Sequence, residues 1–215
     1  MKQKFIFILA LLSCFWAQKA SAFCNSMSTR VYITTNPGNV QYITTKSRNE
    51  FLKYATKGAS PNTVGLTVAR LSYSGKPQAN IEEQDGQVCA SLGAIEIKLG
   101  YEDLTVYIDK KYDLSSCEYK VTKRHEKQHV AIYQQAMIFF KPDIEKRVQE
   151  SLKQLRPKIV KTPEERDRVL IEQYQKVMDD LAPLIEHINK TTAKKNQQLD
   201  SPESYKRTTA LCKNW

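Results

Sequence analysis

Residues 115–135 read SSCEYKVTKRHEKQHVAIYQQ, and how this stretch folds decides how the rest of the chain is divided. Ser115 followed by Glu118 is a capping-box pattern, so the spacing predicts a helix from 115 to about Phe140, ended by Lys141 and Pro142. Within it, His125, Glu126 and His129 spell H-E-x-x-H, and the chain has one other histidine, His187. Helical positions four apart lie about 40° from one another. Two imidazoles so placed can share one metal ion at about 2.0–2.1 Å. Glu126 then falls beside the pair, able to act on a metal-held water as a general base without being a ligand. Thr122, Ile132, Tyr133 and Ala136 share this largely uncharged face, as expected of a partly buried site helix. The rival reading is a charged surface helix in which Glu126 pairs with a neighbouring lysine or arginine.

Texture changes on either side of this helix. Residues 23–113 are strand-rich: RVYITT, NVQYITT, VGLTVARLSYS, CASLGAIEIKLGY and LTVYIDKKY favour Val, Ile, Thr and Tyr, with apolar and polar residues often alternating. NPGN at 36–39 reads as a hairpin turn, SRNEFLKYATKG at 47–58 as a short helix, and SGKPQANIEEQDG as an exposed polar connection. From 115 to 199 the chain reads as helical. A second helix over 143–156 carries Ile144, Val148, Leu152 and Leu155. Thr162, Pro163 and Glu165 open a long helix with the stripe Leu170, Tyr174, Val177, Leu181, Leu184 and Ile188. A C-terminal tail follows, residues 200–215. The expected architecture is a single α+β domain over 23–215, an N-terminal antiparallel sheet followed by a site helix and further long helices.

The first 22 residues read as a signal peptide: basic MKQK, an apolar run, and ASA as the cleavage motif before Phe23. The apolar run is short for a membrane span. LLSC at Cys14 loosely resembles a lipid-attachment box, but Leu12 fits it poorly and ASA fits cleavage well. Export, periplasmic or secreted, leaves Cys24, Cys89, Cys117 and Cys212, an even number in an oxidising compartment and hence two expected disulfides. Three pairings are open. A Cys117–Cys212 bridge would clamp the tail against the H-E-x-x-H helix. Losing Lys2, Lys4 and Lys19 with the leader lowers the formal net charge from +10 to +7, which suits work near an anionic envelope surface. There is no recognisable nucleic-acid motif and no later segment apolar enough to span a bilayer.

A third ligand is harder to name. The metzincin pattern would place Gly at position 132 and His at position 135, where this chain has Ile132 and Gln135. Glu145, Glu150, Glu164 and Glu165 could each serve in a thermolysin-like arrangement. His187 lies toward the polar side of its helix and reads as a solvated histidine. Asp200, Glu203 and Tyr205 lie just beyond the long helix.

GQVCASLGAIEIKL, HEKQHVAI and QQLDSPESY together resemble, in their order, a group of bacterial predicted secreted zinc-dependent proteases. The resemblance spans roughly residues 64–205, with only the central motif specific. It implies a zincin-like metallopeptidase using Zn(2+), with His125 and His129 as ligands and Glu126 as the catalytic carboxylate. The group's terminal motif reads D-x-x-T-x-H-G. Here Asp200 matches the Asp, Glu203 stands at the threonine and Tyr205 at the histidine, so Glu203 is the expected replacement ligand. The leading expectation is therefore an exported zinc metallopeptidase acting on a peptide or protein. The alternative is a non-catalytic, basic, disulfide-bonded envelope protein that binds anionic polymer and carries a degenerate metal site.

Overall fold

The computed structural model describes residues 23–24, 27–55, 63–213 and 215. The leader expected over 1–22 lies outside the described residues. In chain order the elements are β1 (Arg30–Asn36), β2 (Asn39–Ile43), α1 (Arg48–Phe51) leading into a 3-10 turn (Leu52–Tyr54), and β3 (Gly65–Gln84). They continue with β4 (Gln87–Ile108), α2 (Cys117–Leu152), β5 (Lys158–Val160), α3 (Pro163–Leu199) and α4 (Pro202–Thr209). The fold is mixed α and β.

Strand β4 organises the five-stranded sheet, because every other strand is hydrogen-bonded to it. The sheet is not the antiparallel one expected. β2 runs parallel to β4, Asn39 opposite Asp103 through Ile43 opposite Tyr107, whereas β5 runs antiparallel to it. β1 and β2 therefore do not form a hairpin around NPGN; each pairs with β4 instead. Pro37 has no N–H to give, and the Asn36 side chain accepts the Gly38 N–H at 2.9 Å, so the segment closes on itself locally. Residues 74–84, expected as an exposed connection, are the far half of β3. Asp85 and Gly86 explain this: both have positive φ, 51° and 74°, the two-residue turn that joins twisted strands into a hairpin. Strand pairing satisfies the backbone there, so polar side chains are no obstacle. Pro77 is tolerated because, among the described residues, β3 pairs only with β4, leaving an edge where a missing N–H costs nothing.

The chain packs as two compact units, and β3, β4, α2 and α3 each contribute residues to both. One unit takes residues up to Ile33, Gly75–Ile97 and Glu145–Ala182. In it β5 lies against Val88–Ala90, and Ala90, Val160 and Val169 bury a small cluster. Gln173 is buried here as a two-ended clip, its Oε1 accepting the Leu92 N–H and its amide donating to the Arg156 carbonyl, both at 2.7 Å. A Cys24–Cys89 disulfide closes this unit.

The other unit takes Thr34–Ser74, Lys98–Ile144 and Pro183–Trp215. Its core includes the fully buried Phe51, Leu104, Val106, Ile108, Ile144 and Ile188. Phe51 stacks on Tyr107 with ring centres 5.8 Å apart. A second disulfide, Cys117–Cys212, ties the start of α2 to the C-terminal tail. The two bridges suit an oxidising compartment. Among the described residues no helix is long and apolar enough to cross a membrane.

Helix α2 departs from expectation at both ends. Ser115 does not cap it: its N–H and hydroxyl both engage the Asp113 carboxylate, and Ser116 instead accepts the Tyr119 N–H at 3.1 Å. At the other end, α2 continues through Pro142 to Leu152 rather than breaking into two helices. Pro142 deprives the Ile138 carbonyl of its partner, yet Ile138 is exposed and water can serve there. The N-terminus of α3 forms as the sequence indicates, with Thr162 Oγ1 accepting the Glu165 N–H at 3.3 Å. Val177, Leu181 and Ile188 of its stripe are fully buried.

Candidate metal centre

The charge pattern of α2 resolves into two faces. Lys120, Arg124, Lys127 and Gln128 face outward, while Thr122, His125, Glu126 and His129 are buried. The motif residues are therefore not part of a solvated surface. Glu126, only 3 % exposed, does not pair with a neighbouring lysine or arginine. Its Oε2 accepts a hydrogen bond from the Thr67 hydroxyl on β3 at 2.7 Å.

The two histidines meet a carboxylate that returns from the end of α3. His125 Nε2 and His129 Nε2 are 3.1 Å apart, and each lies 3.0 Å from the same oxygen, Oδ1 of Asp200. Among the described residues this is the one group of His, Cys, Asp or Glu side chains able to hold a metal ion. Four tetrahedral donors at about 2.0–2.1 Å from zinc stand about 3.3 Å apart. A triangle with sides of 3.0–3.1 Å is close to one face of that tetrahedron, so the residues fit the ion. Three such donors would leave the fourth position of a tetrahedral ion open. Asp200 is the solvent-facing member, its side chain 40 % exposed while those of the histidines are nearly sealed.

The next layer fixes how these atoms are presented. His129 Nδ1 lies 2.8 Å from Asn196 Oδ1, an acceptor that places the ring proton on Nδ1 and leaves Nε2 free for the centre. Asn196 and Asp200 lie four apart, and the Asp200 N–H donates to the Asn196 carbonyl at 3.0 Å. One turn at the end of α3 thus supplies both the carboxylate and the residue that orients His129.

Glycine makes room on the other side. A Cβ built on Gly65 would stand 2.5 Å from Glu126 Oε1 and 2.7 Å from Thr122 Cγ2, so only a bare backbone can start β3 there. Val64, Gly65, Thr122, His125 and Glu126, with Tyr205, Thr208, Thr209 and Trp215, line a cavity of about 40 Å³, room for water. Tyr205 packs on His125 with ring centres 5.5 Å apart.

Electrostatics follow from this packing. Burial pushes the Glu126 carboxyl above its usual range, opposed by His129, the Thr67 hydrogen bond and His125. For Asp200, burial works toward the neutral acid but is overcome by the two histidines, and the carboxyl is held well below the ordinary carboxylate range. For His129, burial disfavours the charged ring, yet the Asp200 hydrogen bond, the Glu126 and Asp200 charges and Asn196 together raise its pKa. Burial also raises the Tyr205 phenol, keeping it neutral.

The structure thus brings His125, Glu126 and His129 together and adds Asp200, where Glu203 was expected; Glu203 is exposed on α4. Tyr205 lies in the site, its ring packed on His125. His187 is exposed and meets Phe140 edge-on. Asn196, Thr67 and Gly65 escaped the sequence reading. For Asn196 a signal existed: its i, i+4 spacing from Asp200 copies that of His125 and His129. No family model matches the chain, and no curated protein and no solved structure is detectably similar to it.

Proposed function

We propose that the protein is an exported zinc metallopeptidase of zincin-like architecture, with His125, His129 and Asp200 as ligands and Glu126 as the catalytic carboxylate. The observation that carries this reading is the convergence of the two Nε2 atoms and Asp200 Oδ1 within 3.1 Å, with a buried carboxylate beside them that is not one of the donors. Atoms bearing lone pairs crowd this closely at low cost only when a proton or a cation sits among them.

Two histidines and a carboxylate also suit non-haem iron. Glu126 supports the zinc reading, because a buried carboxylate outside the donor set is what a hydrolytic centre needs for proton transfer. Zinc bound here would polarise a peptide carbonyl and acidify a water. The protein's own groups do the rest. Thr67 anchors Glu126 Oε2, and Glu126 takes the proton of the attacking water and returns it to the leaving amine nitrogen. Asn196 holds His129 in the tautomer that offers Nε2.

The test is peptidase activity and zinc content of the disulfide-intact protein, wild type against Glu126→Gln. The reading expects zinc to be retained and hydrolysis to fall by about 10²–10⁴-fold. Unchanged hydrolysis in the variant would refute it.

A further inference from the structure

Ile138 and Phe139, 74 % and 71 % exposed, are the two most exposed large apolar side chains among the described residues, and the metal centre does not use them. They are neighbours on α2, both on its solvent side. The next residue, Phe140, turns inward and meets the His187 ring edge-on with centres 5.7 Å apart, setting α2 against α3 so that Ile138 and Phe139 stay outside. Beside them α3 carries NKTTAKKNQQ, residues 189–198. Lys195 Nζ lies 6.0 Å from the centre of the Phe139 ring. Lys190 is committed to Glu186, whereas Lys194 and Lys195 form no ion pair among the described residues. Exposed apolar side chains on α2 thus lie next to the basic end of α3, with Lys195 directly beside the Phe139 ring.

We propose that this face seats the protein on an anionic lipid surface. Charge complementarity and apolar content together select that partner. A soluble polyanion would use the lysines and leave Ile138 and Phe139 in water, and an apolar protein groove would use those two and leave Lys194 and Lys195 unmatched. A bilayer with acidic headgroups takes both: the acyl boundary receives the apolar pair while headgroup phosphates meet the ammonium groups. The inference is independent of the peptidase reading, since none of these residues belongs to the His125–His129–Asp200 centre.

Co-sedimentation of the intact protein with vesicles tests it, using phosphatidylglycerol and phosphatidylcholine in equal parts against phosphatidylcholine alone. Wild type is expected to bind the acidic vesicles and to be released as salt rises. Ile138→Ser with Phe139→Ser, and separately Lys194→Glu with Lys195→Glu, should each weaken binding by about tenfold or more. Near-ultraviolet circular dichroism of both double variants verifies that they fold. Equal binding to neutral vesicles overturns the proposal. So does wild-type binding by a folded Ile138/Phe139 variant, which would mean charge alone. Self-association without lipid binding, abolished by the same variant, would give the face to a second copy of the chain and also overturn it.

Discussion

Asn196 Oδ1 lies 2.8 Å from His129 Nδ1, on the opposite side of the ring from the nitrogen that meets Asp200 Oδ1 at 3.0 Å. One residue thereby sets the tautomer and the aim of the proposed ligand His129. Asn196→Ala should weaken zinc binding by about 10–100-fold, while Asn196→Asp, which keeps an acceptor, should restore most of it. A competition titration against a chromophoric chelator reads both. Equal losses in the two variants would contradict an orienting role.

Gly65 is the place where the strand meets the buried Glu126 carboxylate. Gly65→Ala drives a methyl group into Glu126 Oε1 and Thr122 Cγ2, at 2.5 and 2.7 Å before any adjustment. The expected result is a loss of hydrolysis with zinc content unchanged, and a stability loss of about 1–3 kcal/mol by urea denaturation. Full activity in this variant would mean that Glu126 is free to move away without consequence.

Proton competition should be visible in zinc affinity. His129 is faced by His125, Glu126, Asp200 and Asn196, and its charged form persists above the ordinary histidine value, burial notwithstanding. In the metal-free protein that protonated ring contributes stability fully present below about pH 6.5 and lost as pH rises through the raised value. Zinc must displace this proton, so apparent affinity should rise with pH through a midpoint above about 6.5. Asp200, held ionised well below the carboxylate range, adds no competition near neutrality. A flat profile from weakly acid to weakly alkaline pH would count against this ligand set.

Cys117 and Cys212 are 95 residues apart in sequence, and the bridge ties the tail to the first turn of the site helix. Replacing both by Ser should cost about 2–5 kcal/mol of unfolding free energy. Chemical denaturation without reductant measures it, and a change below about 0.5 kcal/mol would show that the tail is held by packing alone.

What could be read from the sequence follows how local each signal was. The H-E-x-x-H helix, the Thr162 cap and the Val177, Leu181 and Ile188 stripe depend on neighbours within a turn or two, and all formed. Two disulfides were legible from cysteine number and the expected export, but their pairing was not. Asp200 could not be chosen over Glu203, because the choice depends on where α3 ends, about seventy residues from the histidines. The far half of β3 was concealed for another reason: its polar composition suits an exposed loop, and only the Asp85-Gly86 turn marks it as one arm of a hairpin. The parallel β2–β4 pairing has no local signature at all, since it joins residues some sixty positions apart.

The most direct measurement is the zinc bound per chain in the disulfide-intact protein, compared for wild type, Asp200→Ala and Glu203→Ala by elemental analysis after dialysis. The account predicts about one zinc per chain in wild type and in Glu203→Ala, and loss of it in Asp200→Ala. Zinc-free wild type, or an Asp200→Ala variant that keeps its zinc, would contradict it.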